Sequence, residues 1–390
     1  MGWYLPGVTA RTPAAPPPLS WTLLAVGVAA FFTLGVIQAM YGPAFGLFQA
    51  RFGITTAAVG LIASAHFLGS AVAPPLMGLL LRRVSVRAGV SWSLLLLALG
   101  VTGVVLAPAW PLAVGSAFLG GFGLGGVSAC LNAAYASVGS RAVNLVNAVF
   151  GVGSMLAPLL VSGLGRADGT PGGLAGPFLT VAALAAVTFV VGRVWGVPGI
   201  HAPARAADAP APARPAVQAA LFAALIVCYV GLEAGYGAWA ARYLTELELP
   251  GAALVLSAFW GALTVGRVLT GVFAGRVGAP RVVLACGAAL IVLALALRVP
   301  ALAPAAVILS GLVLAPVFGT TLAWLSQVLS ARLVPLLLVA GSLGGVLSPW
   351  LLGQLFARFG AGAVPVTLAA LAALMVGFTA LARRGARRLV

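Results

Sequence analysis

Residues 64–84 read SAHFLGSAVAPPLMGLLLRRV, and residues 257–277 read SAFWGALTVGRVLTGVFAGRV. The two stretches align without a gap at an offset of 193 residues, close to half of the 390-residue chain. The identical positions include Ser64 with Ser257, Gly78 with Gly271 and Arg83 with Arg276. A second pair, GVGSMLAPLL at 151–160 and SLGGVLSPWL at 342–351, repeats the correspondence. The chain is therefore composed of two similar halves.

The composition places both halves in a membrane. Hydrophobic residues make up 62 % of the chain and charged residues 7 %, whereas soluble domains carry about 25 % charged residues. A helix needs about 20 apolar residues to cross a bilayer core of ~30 Å. Twelve stretches meet this requirement, at 20–41, 56–81, 88–107, 111–138, 143–164, 176–197, 217–242, 251–274, 280–298, 303–326, 335–356 and 364–382.

The longest gap between spans follows the sixth one, in a segment rich in proline and alanine, which predicts a semi-extended linker. We therefore predict an all-α membrane protein with twelve transmembrane helices in two six-helix pseudo-symmetric halves. Such a repeat implies a two-fold axis along the membrane normal and a site between the halves near mid-membrane. The predicted domains are a tail at 1–19, a bundle at 20–197, the linker at 198–216, a second bundle at 217–382 and a basic tail at 383–390.

Arginine placement predicts the orientation. The net charge of +16 comes from arginine alone, since the chain has no lysine. With a cytoplasmic N-terminus, fifteen loop arginines lie inside, five lie outside, and Arg267 falls within a span. Cytoplasmic loops carry the excess of positive charge in inner-membrane proteins. We expect a multi-pass protein of the cytoplasmic membrane with both termini inside, and the basic charge does not indicate nucleic acid.

The loop after the second span carries a family motif. The segment GLLLRRVSVR (78–87) resembles the pattern G-x-x-x-D-R-x-G-R-[KR] of the major facilitator superfamily, and GVFAGRVGAPR (271–281) is its second-half copy. The resemblance implies alternating access and a gating role for Gly78, Arg83, Arg87, Gly271 and Arg276. Arg82 and Gly275 replace the aspartates of the family pattern.

A second resemblance is finer. The segment YVGLEAGYGAW (229–239) is similar to the start of the seventh helix in the fucose/hexose–proton symporter branch. This resemblance implies proton-coupled uptake of a neutral hydrophilic solute such as a sugar. That branch carries acids in its first and fourth helices, where this chain has Gln38 and Asn132 as the most polar central residues.

Glu233 is the carboxylate in the middle of an apolar run. The four other acids of the chain fall in predicted loops, and a charge at mid-membrane costs at least about 2.5–3.5 kcal/mol. Three interpretations remain open: a proton-coupling site, a substrate contact, or a neutral structural acid that locks a locally unwound helix. His66, also near mid-membrane, is either a second proton-coupling residue or a packing histidine.

Polar and aromatic residues recur at helical spacing on four predicted spans. In this superfamily the first, fourth, seventh and tenth helices line the central cavity, so we predict that these stripes bind substrate. Their members are Gln38 and Tyr41; Ser128, Asn132 and Tyr135; Tyr229, Glu233 and Tyr236; and Thr320, Trp324 and Gln327. Each stripe is also compatible with plain helix packing.

Arg267 is expected to extend toward the cytoplasmic face. Pairing with Glu233 would require the two side chains to span an axial offset of ~10 Å at 1.5 Å per residue. The chain has no Walker lysine and no nucleophile or metal-ligand motif, so we expect no enzymatic activity, no metal and no cofactor, with the proton gradient as energy source. The expected partners are a small-molecule substrate and the lipid bilayer, and the expected state is a monomer.

Two other functions remain open from the sequence. Efflux of amphipathic drugs or lipid-like compounds would fit the aromatic, acid-poor stripes, and it predicts a wide apolar cavity. Sugar uptake predicts a small cavity ringed by amides. A membrane receptor or scaffold without transport is the third alternative.

Overall fold

The structure is a computed structural model, and it describes residues 20–81, 83–138, 140–196, 216–273, 277–329 and 334–386. These residues form thirteen α-helices, and a single π-turn at Gly192–Gly196 extends the seventh. The helices are α1 (Trp21–Met40), α2 (Phe45–Phe52), α3 (Thr56–Leu80), α4 (Val86–Leu106), α5 (Trp110–Val138), α6 (Ser140–Leu164), α7 (Pro171–Val191), α8 (Ala216–Glu246), α9 (Ala252–Phe273), α10 (Ala279–Ala296), α11 (Ala303–Val328), α12 (Val334–Phe359) and α13 (Ala363–Ala386).

Twelve of the described helices are long and apolar enough to cross a membrane, which confirms the predicted number of spans. The short helix α2 was not predicted; it follows α1 in the chain and packs on α3 and α7. The seventh span, α8, continues to Glu246 beyond the predicted end at 242. The last helix reaches Ala386 and so includes Arg383 and Arg384 of the predicted basic tail. The tail at 1–19 and nearly all of the predicted linker lie outside the described residues.

The two halves use the same packing pattern. In the first half, α3 packs on α5, α4 on α5 and α7, and α1 on α6 and α7. In the second half, α9 packs on α11, α10 on α11 and α13, and α8 on α12 and α13. Each pair in one half thus has its counterpart six spans later, as the repeated sequence requires.

Two helix pairs join the halves, α3 with α12 and α6 with α9. Glycines lie at these contacts because they let helix backbones approach closely. A Cβ atom on Gly60 would stand 2.3 Å from the carbonyl oxygen of Pro349. Similarly, a Cβ on Gly151 would stand 2.2 Å from Oγ1 of Thr264. The interface therefore depends on the absence of side chains at these positions.

The halves also meet at one end of the bundle, where α1 and α8 end and α3 begins; we call this the closed end. Here the ring of Phe45 packs on Trp239 with centroids 5.0 Å apart, and a Cβ on Gly42 would stand 2.5 Å from Cα of Ala238. The amide of Gln354 on α12 donates to the carbonyl oxygen of Ala57 on α3 at 2.9 Å. These contacts bound a cavity that lies between the halves.

Candidate functional site

The cavity between the halves has a volume of about 220 Å³. Its lining comes from α1, α3, α8, α9 and α11 and is mainly apolar and aromatic. The lining residues are Gln38, Tyr41, Gly42, Ala63, Phe67, Tyr229, Val230, Glu233, Ala234, Gly237, Ala238, Trp260, Arg267 and Phe318. Sites that enclose drug-sized ligands have volumes of about 300–1,000 Å³, so this cavity suits a smaller molecule.

An ion pair lies in the cavity wall. Nη2 of Arg267 on α9 is 3.0 Å from Oε2 and 3.1 Å from Oε1 of Glu233 on α8. The hydroxyl of Tyr229, one turn before Glu233, donates to Oε2 at 2.5 Å and accepts from Arg267 at 3.1 Å. The three side chains form a closed network in which every charge has a partner. Arg267 keeps 39 % of its side-chain surface exposed and Glu233 keeps 20 %, so solvent reaches the pair.

This pairing shows that the expectation for Arg267 was wrong. In a helix the Cα–Cβ bond tilts toward the N-terminus, and the N-terminus of α9 lies at the closed end. The Arg267 side chain therefore extends toward the closed end and the level of Glu233, away from the nearer C-terminal end of its own helix. The length of the arginine side chain closes the remaining offset.

The helix around Glu233 is continuous from Ala216 to Glu246, so the third interpretation of Glu233, an acid that locks a locally unwound helix, does not apply. Two glycines of this segment serve close packing. A Cβ on Gly235 would stand 2.9 Å from Oγ of Ser348 on α12, and a Cβ on Gly237 would stand 2.8 Å from Cζ2 of Trp260 on α9. A Cβ on Gly231 would meet its nearest neighbours at an ordinary contact distance of 3.7 Å.

Four of the predicted substrate residues line the cavity: Gln38 and Tyr41 from the first half, and Tyr229 and Glu233 from the second. The Tyr229 ring stacks on Phe318 with centroids 5.6 Å apart. Gln38 is half-buried and is the one amide among the lining residues. The cavity is thus small, as sugar uptake predicts, but it is not ringed by amides.

The other predicted substrate residues are not in this lining. Tyr135 donates to the carbonyl oxygen of Leu23 at 2.5 Å, and the Tyr236 hydroxyl is bonded to Oγ of Ser310 at 3.0 Å. Trp324 is buried, with its ring 4.7 Å from that of Phe222. All three aromatic side chains join helices of their own half.

Four further members of the predicted stripes also lie outside the cavity lining: Ser128, Asn132, Thr320 and Gln327. The amide of Asn132 donates to Oγ of Ser128 at 3.2 Å along the same helix face. Thr320 is half-buried on α11. For these residues a role in substrate binding stays a prediction.

His66 lies behind the cavity wall. Its ring centroid is 4.7 Å from that of Tyr41, the side chain is 1 % exposed, and neither ring nitrogen has a hydrogen-bond partner in the described structure. The Tyr41 hydroxyl is likewise buried without a partner. His66 therefore touches a cavity residue without lining the cavity itself, and its predicted role in proton coupling stays a prediction.

The predicted gating residues that the structure describes lie at one end of the bundle, opposite the closed end. Gly78 is near the end of α3, Arg83 is exposed in the following turn, and Arg87 is in the first turn of α4. Gly271 is near the end of α9, while Arg276 lies outside the described residues. The described residues therefore lie at or beside the loops between spans, as the family motif does. Their role in gating stays a prediction.

Sequence reasoning missed three aromatic lining residues, Phe67, Trp260 and Phe318. The internal repeat contained a usable signal for two of them, because Phe67 and Trp260 occupy equivalent positions at the offset of 193. Phe318 had no comparable signal, since phenylalanine is common in membrane helices.

The sequence profile of the Major Facilitator Superfamily matches residues 27–336. The chain belongs to the major facilitator superfamily. This superfamily member is thus a multi-pass membrane transporter and not an enzyme. No curated protein matches its sequence significantly.

Solved structures of superfamily transporters share the fold. A point variant of the nucleoside transporter NupG matches with a TM-score of 0.74 at 14 % identity, covering 92 % of this chain and 99 % of its own. A D-xylose-proton symporter matches with a TM-score of 0.74 at 14 % identity, covering 92 % and 97 %. A point variant of the E. coli fucose:proton symporter FucP matches with a TM-score of 0.61 at 18 % identity, covering 92 % and 98 %.

Proposed function

We propose that this transporter takes up a small neutral hydrophilic solute, such as a sugar, together with protons. The observation that carries the proposal is the closed network of Tyr229, Glu233 and Arg267 in the cavity wall. Its opposite charges cancel, so the cavity offers no net charge to an ionic solute. Two of the structural neighbours are sugar–proton symporters, which supports the proposed solute class and the proposed coupling to protons.

The network contains a group that can bind a proton. A proton on Glu233 removes the negative charge and leaves Arg267 without its ionic partner, so the pair weakens. A charge-assisted hydrogen bond contributes about 1.5–3 kcal/mol, enough to shift the balance between two conformations tenfold or more. The transporter thus has one state in which Glu233 and Arg267 are paired and another in which they are separated, and a proton on Glu233 favours the second.

The pair is connected to the interface between the halves. Arg267 lies one turn after Thr264 on α9, and Thr264 fills the space over Gly151 on α6 of the other half. On the neighbouring turn, Met155 of α6 faces Gly261 of α9, with its sulfur 3.0 Å from the position of a Cβ. A shift of α9 after the pair breaks would move these contacts, which is the coupling that alternating access requires.

The direction of uptake depends on orientation. By the distribution of arginines, the closed end faces outward and both termini and the linker are cytoplasmic. A variant without Cys130, Cys228 and Cys286 that carries one cysteine in place of Ala209 tests this. We expect an impermeant maleimide to label it only after the cells are opened, and labelling of intact cells would refute the orientation.

The coupling test uses purified transporter in liposomes with an inward proton gradient. A pH difference of one unit is worth about 1.4 kcal/mol, or tenfold accumulation for one proton per solute. We expect Glu233→Gln to abolish accumulation and retain solute exchange between equal pools. Glu246→Gln is the matched control, because Glu246 is on the same helix and pairs with Arg242 at 2.6 Å in an i,i+4 salt bridge. Accumulation by Glu233→Gln at the wild-type level would exclude Glu233 as the coupling acid.

A second candidate, efflux of amphipathic compounds, is favoured by the apolar and aromatic part of the lining, which includes Phe67, Val230 and Phe318. The same liposomes distinguish the two. If hydrophobic cations are expelled against a gradient and no sugar or polyol is exchanged, efflux replaces uptake as the function.

A further inference from the structure

Trp260 on α9 has an unused hydrogen-bond donor. The residue lines the cavity and is 5 % exposed, and its Nε1 has no hydrogen-bond partner in the described structure. The indole N–H can only donate, and a buried donor without an acceptor carries a free-energy penalty. An oxygen that is not part of the chain's own network would remove this penalty.

The surroundings of Trp260 fix its ring. Its Cζ2 lies 2.8 Å from the position that a Cβ on Gly237 would occupy, so the ring fills the space that this glycine leaves on α8. Phe259 packs against it edge-on, with centroids 5.2 Å apart. Nε1 is itself buried in this conformation, so an acceptor oxygen of a solute reaches it when the lining rearranges around the solute in the cavity.

The internal repeat gives Trp260 a counterpart in the first half. At the offset of 193 residues, Phe67 on α3 aligns with Trp260, and both line the cavity. Phe67 is also seated over a glycine, with Cδ1 2.6 Å from the position of a Cβ on Gly345. Each half therefore presents an aromatic ring at the equivalent site, and only the second ring carries a polar atom.

We propose that Trp260 and Phe67 form a substrate-binding pair in which Nε1–H of Trp260 donates to an oxygen of the solute. Two aromatic rings bury apolar surface, and the N–H requires an acceptor, so the solute combines a rigid apolar face with oxygen atoms at its edge. A pyranose ring has both features, whereas the matching linear alditol has the oxygens without the rigid face. This inference rests on the proposed function and names its substrate class as a cyclic sugar.

The test measures binding of aldopyranoses and of the corresponding alditols to the purified transporter. Trp260→Phe keeps an aromatic ring and removes the N–H, so we expect about 2- to 13-fold weaker binding of the preferred pyranose, the loss of one hydrogen bond. Among monodeoxy derivatives of that sugar, we expect one that binds wild type and Trp260→Phe equally, because it lacks the accepting oxygen. Trp350→Phe, at a tryptophan that is 42 % exposed, is the matched control.

Gly237→Ala is a second variant, in case Trp260→Phe does not fold. Its methyl group would displace the indole ring, and we expect weaker pyranose binding with the same insensitive deoxy derivative. Equal affinity of both variants and wild type, or the same loss for every deoxy derivative, would overturn the inference. Preference for alditols over pyranoses would also overturn it and leave the proposed function standing. Binding of amphipathic compounds alone would overturn both.

Discussion

The strength of the Glu233–Arg267 pair can be predicted from its exposure together with its hydrogen bonds to Tyr229. Exposed ion pairs contribute about 0.2–1 kcal/mol, and removing one partner of a fully buried pair costs about 3–5 kcal/mol. With side chains 20 % and 39 % exposed and four hydrogen bonds in the network, this pair lies between those limits. We expect a coupling energy of about 2 kcal/mol, which corresponds to roughly a 30-fold change in an equilibrium constant.

The measurement is a double-mutant cycle of Glu233→Gln and Arg267→Gln. Unfolding in mixed micelles at alkaline pH, followed by circular dichroism, gives the free energy of unfolding of the wild type, both single variants and the double variant. Each single variant leaves one charge without its partner, so the double variant should recover part of the loss. The pair of Arg242 and Glu246 is the control, since its partners are similarly exposed, at 29 % and 38 %, but lie one turn apart on a single helix.

The control pair is expected to give about 0.3–0.5 kcal/mol, the usual contribution of an i,i+4 pair. A coupling energy of Glu233 with Arg267 that equals the control would refute the reasoning. In that case the cavity would behave electrostatically as bulk water, and the pair would not separate two states.

Three further predictions concern other parts of the fold. Gly42→Val would place Cβ 2.5 Å from Cα of Ala238, so we expect this variant to open the closed end and to raise the labelling rate of a cysteine at position 57. Gly46→Val is the control: a Cβ there has no neighbour within 4 Å, so the labelling rate should not change. Trp239→Phe removes the donor to the Pro349 carbonyl at 2.9 Å and should lower the free energy of unfolding by about 1 kcal/mol; an unchanged value would contradict this. The backbone and hydroxyl hydrogen bonds from Thr170 and the nearby guanidinium of Arg166 lower the pKa of Asp168. Its contribution to stability is therefore present above the ordinary pKa and lost as the pH falls through the lowered one, so the difference in unfolding between wild type and Asp168→Asn should vanish in acid.

The fold was predictable because a bilayer fixes the length of every span. The repeat at Ser64 and Ser257 then fixed the number of halves, and the helix pairs follow from it. Glu233 was conspicuous for the same reason, since a carboxylate in a long apolar run has few structural explanations. Span boundaries were less certain, because the ends of α8 and α13 depend on local contacts that hydropathy does not report.

The partners of the site residues were not predictable from spacing. Helical spacing shows which residues share a face, but a helix in a bundle packs on several faces, and Tyr135, Tyr236 and Trp324 use theirs for neighbours in their own half. Arg267 was misjudged because its axial position was considered without the direction of its Cα–Cβ bond. Trp260 was overlooked because its importance depends on an unpaired atom, which only a three-dimensional structure reveals.

The two contacts that join the halves are copies of one contact. Phe67 of α3 meets Gly345 of α12, and Gly261 of α9 meets Met155 of α6. In the aligned repeats, Gly261 is one residue from the equivalent of Phe67, and Met155 is one residue from the equivalent of Gly345. An interface of this kind is self-complementary, like that of a two-fold dimer. A single six-helix ancestor could therefore have paired with its own copy before duplication joined the two in one chain. The ion pair would then be a later departure from symmetry, since the position equivalent to Arg267 in the first half is Pro74.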